Sequence, residues 1–285
     1  MFSWQRLKGL LSFGWKMLVS SLLDTIYNNI RSLIIGKMYS SSDLAYYNQG
    51  KQFPNTIVNN INSSIDSVLL PSMASAQDDR ARVKSMTRRS IKTSTYIMAP
   101  LMMGLAFCAK TIVQVVLTDN WLPCVPFLRI FCITYMFYPI HTANLNAIKA
   151  MGRSDYFLKL EIAKKIVGLG LLFSTMWFGV LAMAYSLLVN SVLSQIINSW
   201  PNRKLLNYGY LEQLKDILPG ISLAVFMGFC VSLTGLLHLS NGITLLIQIP
   251  FGAAVYIGMS AVLHLESYEY LLDMVRQLLK KIVKK

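Results

Sequence analysis

Eight apolar stretches, separated by short segments in which lysine and arginine collect, run from one end of this chain to the other. That alternation constrains the fold more than any motif does, because about 20 apolar residues carry a helix across about 30 Å of hydrocarbon. The stretches lie near 14–36, 53–74, 94–116, 125–148, 159–178, 181–200, 217–237 and 243–264. Only 14% of the 285 residues are charged and mean hydropathy is +0.47, whereas a soluble domain is about 25% charged. The expectation is an all-α integral membrane protein of about eight transmembrane helices.

The basic residues test that count. All of them except Arg31, Lys37, Lys51, Lys110 and Arg129 fall in five segments: the N-terminal tail, 75–93, 149–165, 201–216 and the C-terminal tail. With eight spans these segments share one side, and the positive-inside rule makes that side cytoplasmic. Both termini are therefore expected in the cytoplasm, in a multi-pass protein. Trp15, Trp121, Trp177 and Trp200 stand at span ends, where indoles prefer the headgroup level. The net charge of +14 is spread over these segments and forms no single patch, which argues against nucleic acid as a partner.

Cys108, Cys124, Cys132 and Cys230 show no ligand spacing, so neither a metal, a cofactor nor a disulfide framework is expected. Met1 to Trp15 lacks the h-region and small-residue site of a cleavable signal, so the first span is expected to direct insertion.

Two spans carry polar stripes. In Pro54–Pro71, Asn55, Asn59, Asn62 and Asp66 recur at i, i+4, i+7 and i+11, within roughly 60° of one another around a helix. Ile57, Val58, Ile61, Ile65, Val68 and Leu69 form the other side. In the preceding span Asp24, Asn28 and Arg31 share one face, and Asp66 is the expected partner of Arg31. A charge at mid-bilayer costs about 2.5–3.5 kcal/mol on insertion scales, so these faces are expected to line a cavity more than to glue helices together. Tyr138, Thr142 and Asn146 repeat the pattern beside Pro139 and His141. The spans at 217–237 and 243–264 have almost nothing polar at their centres and are expected at the periphery.

Catalysis finds no support. His141, His238 and His264 fall on different spans, and the sequence holds no H-E-x-x-H, G-x-S-x-G or P-loop pattern.

The block Leu22–Asp79, with Phe178–Val189 and Lys204–Pro219 further on, resembles the Wzx-type oligosaccharide flippases of the polysaccharide-transporter family, in the superfamily that also holds the MATE exporters. The resemblance implies two six-helix bundles with extra C-terminal helices, and movement of undecaprenyl-diphosphate-linked oligosaccharide across a bacterial inner membrane. It matches this chain to the C-terminal half: 1–200 to a six-helix bundle, 201–267 to two additional helices and 268–285 to a basic amphipathic cytoplasmic tail. The expected partners are the lipid-linked substrate, membrane lipid, and either a missing N-terminal bundle or a second copy. Arg31 is then expected to meet the diphosphate, the asparagines to meet sugar hydroxyls, and the wall opposite the stripe to lie outside this chain. The alternatives are half of a MATE-like exporter, or a non-transporting remnant or accessory subunit. The tail, with Leu271, Leu272, Val275, Leu278, Leu279 and Ile282 at helical spacing, reads either as an interfacial helix on anionic lipid or as a solvated basic tail.

Overall fold

The structure, a computed structural model, describes residue 22 and residues 25–237 and 239–283. Asp24 and His238 lie outside the described residues, and so do residues 1–21. Every element described is helical. Helix α1 covers 25–38, and α2 is Ser41–Ala74. Helices α3 (Arg80–Phe107) and α4 (Ala109–Val116) follow, then a 3-10 turn, Asp119–Cys124. Helices α5 (Val125–Met136), α6 (Tyr138–Ala150), α7 (Ser154–Thr175) and α8 (Val180–Leu205) come next. The chain ends in α9 (Tyr210–Leu233), α10 (Asn241–Val262) and α11 (Glu266–Val283).

All eight expected stretches are helical where described, but their bounds differ in three places. The span expected at 53–74 starts twelve residues earlier. Ser40 and Asp43 form a reciprocal capping box that begins α2 at Ser41, inside what reads as a loop. The span expected at 94–116 is two helices, α3 and α4, bent by 69° at Cys108. The span at 125–148 breaks at Phe137, where Pro139 enters the first turn of α6 without an N–H to continue the ladder. By length and composition four described helical segments are apolar enough to cross a membrane, or five if the bent pair counts as one. The sequence count of eight also includes α2 and α7, whose polar faces lower their mean hydropathy, and α1, of which residues 25–38 are described.

Helix α2 lies against α5 and α6 along a seam of Tyr47, Gly50, Pro54 and Val58, spaced as one helical face requires. Tyr47, 2% exposed, meets Phe127 and Phe131 edge-on at 5.9 and 5.2 Å. Gly50 lets the two backbones touch, since a Cβ there would stand 2.8 Å from the Leu128 amide nitrogen. Helix α3 packs along α9, and α10 covers α9 from the side. There Tyr256 donates to the Tyr96 carbonyl at 2.9 Å, and Tyr96 donates to Ser260 Oγ at 2.7 Å. The remaining faces of α9 and α10 expose Phe229, Leu246, Ile249 and Val262, an apolar surface suited to lipid.

At the end rich in basic segments, three buried amides join α6, α8 and α9. Asn144 donates to Gln213 Oε1 at 2.8 Å, while its own Oδ1 accepts from Asn202 at 2.6 Å and Gln213 at 3.0 Å. Beside them Tyr208 donates to Asp216 at 2.8 Å, and burial pushes its hydroxyl pKa well above the ordinary tyrosine value.

Candidate functional site

A cavity of about 880 Å³ opens between α1, α2 and α5 to α8. Among the described residues none of α9 to α11 lines it. Of the residues singled out by the polar stripes, Asn28, Arg31, Asn55, Asn62, Asp66, Tyr138, Thr142 and Asn146 line it. Asn59 does not. At 100° per residue, and measured from Val58 on the packed seam, Asn62 sits at about 40°, Asn55 at about 60° and Asp66 at about 80°. Asn59 sits at about 100°, the farthest round, and its side chain is exposed outside the cavity.

The expected pairing of Arg31 with Asp66 is not made. Arg31, 8% exposed, donates through Nη1 to the Met183 carbonyl and to Ser186 Oγ, the latter at 2.8 Å. Asp66 instead accepts from Asn146 Nδ2 at 2.6 Å, tying α2 to α6. The separation is set by the helix itself. Lys51, near the level of Arg31, is fifteen residues from Asp66, about 22 Å along α2. Among the described residues no carboxylate pairs with Arg31 or Lys51. A guanidinium buried without an anion costs several kcal/mol, so this end of the cavity attracts negative charge.

The wall opposite the stripe, expected outside this chain, is within it over this cavity. Glu161, Lys164, Lys165, Gly168 and Leu172 project from α7, and Leu187, Asn190, Ser191 and Ser194 from α8. Both sets follow helical i, i+3, i+4, i+7 spacing, so the signal was present in the sequence. It was obscured because Lys149, Lys164 and Lys165 also look like a cytoplasmic loop cluster. Helix α7 turns its other side outward through Leu158, Ile162 and Ile166, which are half or more exposed. It therefore stands between the cavity and lipid.

Aromatic rings accompany the cations. Lys149 Nζ lies 4.9 Å from the Phe157 ring centre, and Lys165 Nζ lies 5.5 Å from that of Tyr27. Such contacts add to the hold on a cation. Lys164 pairs with Glu161 at 2.6 Å. Asn62 Oδ1 and Asn190 Oδ1 are buried acceptors with no donor, ready for a hydroxyl or water in the cavity. His141 also lines it, with Nδ1 3.0 Å from Asn198 Nδ2.

The end away from the basic segments is tied together. Tyr39 Oη donates to the Met176 carbonyl at 2.6 Å and accepts from the Gly179 amide at 2.9 Å, hooking the α1–α2 turn to the α7–α8 turn. Gly179 has φ +99°, a conformation that favours glycine. Among the described residues no cluster of His, Cys, Asp or Glu is arranged to hold a metal ion.

Comparison with known proteins bears on this arrangement. Residues 1–126 match a family described as a polysaccharide biosynthesis protein. The chain is 25% identical over 202 residues to an uncharacterized membrane protein in the cps region of Klebsiella pneumoniae, covering 69% of this chain and 42% of that protein. It is 23% identical over 261 residues to the teichuronic acid biosynthesis protein TuaB of Bacillus subtilis (strain 168), covering 90% and 54%. It is 22% identical over 285 residues to the succinoglycan biosynthesis transport protein ExoT of Rhizobium meliloti (strain 1021), covering 96% and 57%. The chain thus spans about half the length of the curated relatives it matches. Among solved structures, the lipid II flippase MurJ in an inward closed conformation has the same fold. The TM-score is 0.76 at 17% identity, over 95% of this chain and 57% of that one. The family match over residues 1–126 and the curated relatives make the chain similar to proteins of polysaccharide biosynthesis, and its fold is that of a multi-span membrane protein.

Proposed function

We propose that the protein is a transporter, not an enzyme, that moves undecaprenyl-diphosphate-linked sugars across a bacterial inner membrane for polysaccharide or lipopolysaccharide biosynthesis. The observation that carries this reading is the charge of the cavity. Among the described residues lining it, Arg31, Lys51, Lys149 and Lys164 face Asp66 and Glu161, an excess of positive charge suited to a diphosphate. The planar guanidinium of Arg31 would hold phosphate oxygens, and Asn28, Asn55, Asn62 and Thr142 would exchange hydrogen bonds with sugar hydroxyls. Asp66 would keep Asn146 in place. The lipid tail would stay in the bilayer while the head group crosses.

In this reading a second bundle faces α1 and α2, because alternating access requires one bundle to move against another about a shared site. Residues 1–200 would form one bundle, 201–267 a peripheral pair and 268–285 a cytoplasmic tail, with both termini in the cytoplasm. A MATE-like exporter of cationic molecules is less well supported, since a basic cavity repels such cargo.

The test is surface-polysaccharide display in a flippase-null strain carrying the complete transporter. Arg31→Ala, expressed and inserted, is expected to lower display tenfold or more, the effect of losing about 1.4 kcal/mol or more of transition-state stabilisation. Full display by that variant would overturn the assignment. A change in sensitivity to cationic drugs, with display intact, would move the reading to an exporter.

A further inference from the structure

Charge along α11 changes sign once. Its acids are Glu266, Glu269 and Asp273, and every charged residue after Asp273 is basic, beginning with Arg276 and Lys280. The acidic half is seated. Glu266 accepts from Lys92, the Arg89 guanidinium stands 4.9 Å from the Tyr270 ring centre, and Tyr268 and Leu271 pack against the main apolar core.

That seating uses cations of α3 that the sequence offers as the richest positive segment of the chain. Others in the same run are engaged by α9 and the turn before it. Arg88 pairs with Asp216 at 2.7 Å, and Lys84 donates to the Asn207 carbonyl at 2.6 Å while lying 3.7 Å from Glu212. Three of the six cations in that run, Lys84, Arg88 and Lys92, therefore meet carboxylates within the fold.

Beyond the seat, residues 273–277 of α11 are all exposed. Met274 and Val275 are 41% and 51% exposed, and Arg276 meets its helix neighbour Asp273, at 3.7 Å between two exposed side chains. Lys280 continues the same basic face one turn on, and its backbone is helical and exposed. The end of α10, which leads into the start of α11, shows Val262 and Leu263 to the outside.

We propose that the distal half of α11, with Met274, Val275, Arg276 and Lys280, is a binding surface for the headgroups of anionic phospholipid. The acidic half, clasped to α3, sets its position at the bilayer surface. The apolar pair would enter the headgroup boundary and the cations would stay at phosphate level, the division of labour of an interfacial helix. Attraction of this kind falls off within a Debye length and is weakened by salt.

The test reads the position of Val275 in the whole protein, in a Cys230→Ser background whose other cysteines, Cys108, Cys124 and Cys132, are buried. A spin label at Val275→Cys is compared in vesicles of phosphatidylcholine alone and in vesicles containing roughly one-third phosphatidylglycerol, an anionic surface. The expected result is at least a threefold drop in collisions with an aqueous nickel chelate in the anionic vesicles. Arg276→Glu with Lys280→Glu, or molar salt on the otherwise unaltered protein, is expected to reverse it. Equal aqueous exposure in both vesicles would show a solvated tail and overturn the proposal. Equal protection in both would show apolar seating without headgroup recognition, and would overturn it as well. None of these readings depends on transport.

Discussion

Asn144 shows how much one side chain can hold. Its amide serves as both donor and acceptor to Gln213 and accepts from Asn202, and all three residues are 0–1% exposed. Asn144→Ala would leave Gln213 Oε1 without its donor, at about 1–3 kcal/mol for a group left unsatisfied, while the Asn202 and Gln213 amide nitrogens keep only the Asn144 and Tyr208 carbonyls. The expected outcome is a melting temperature several degrees lower in detergent, with insertion retained. Asn144→Asp, which keeps the acceptor but not the donor, is expected to fall between. Arg31 makes the opposite case. Its two uncharged partners fix its direction without cancelling its charge, so Arg31→Lys tests geometry against charge. Lysine is expected to restore only part of the display lost in Arg31→Ala. Equal activity of lysine and arginine would show that charge alone is needed. Arg31 was legible as an anomaly in an apolar run, but its partners were not, because Met183 and Ser186 lie more than 150 positions away.

At the scale of elements, close packing and helix propensity make separable predictions. A Cβ at Gly50 would stand 2.6 Å from Phe127 Cβ and 2.8 Å from the Leu128 nitrogen, against backbone that cannot turn aside. Overpacking of that kind costs about 1–3 kcal/mol. The propensity gain of alanine over glycine is about 1 kcal/mol, so the clash is expected to win. Gly50→Ala should melt lower than the parent in a thermal unfolding series. Gly170, on α7, is the internal control: a Cβ there would meet nothing within 4 Å, so Gly170→Ala should match or exceed the parent. Most helices could be read from hydropathy, and the basic segments between them too. The early start of α2 depended on a cap, Ser40 with Asp43, hidden in a loop-like SSSD run. The break between α5 and α6 was visible as Pro139, whereas nothing in the composition around Cys108 marks the 69° bend.

For the molecule as a whole, the question is which faces meet water. Single cysteines at Asn62 and Asn146, in a background lacking native cysteines, are expected to react with a membrane-impermeant thiol reagent, because both line the cavity. Reaction is expected from the side bearing the basic segments, since Tyr39 ties the α1–α2 and α7–α8 turns together at the other. Labelling of Asn62 only by lipid-soluble reagents would show that the cavity is not hydrated. A cysteine at Asn59 tests a separate surface, and protection of that position when the complete transporter is assembled would place it against a second bundle.

The sequence by itself determined the helical membrane class, the grouping of cations between spans and the presence of a polar face on α1 and α2. These follow from composition and local period, which a solvent of hydrocarbon and water reads one helix at a time. Tertiary structure alone decided that Arg31 turns to α8 while Asp66 turns to α6, and that three lysines of an apparent loop stand in a cavity. It also placed Asn59 outside the stripe's neighbours. Each of those outcomes depends on how one helix is rotated against the next, and rotation is set by packing seams such as Tyr47, Gly50, Pro54 and Val58, whose partners lie far away along the chain.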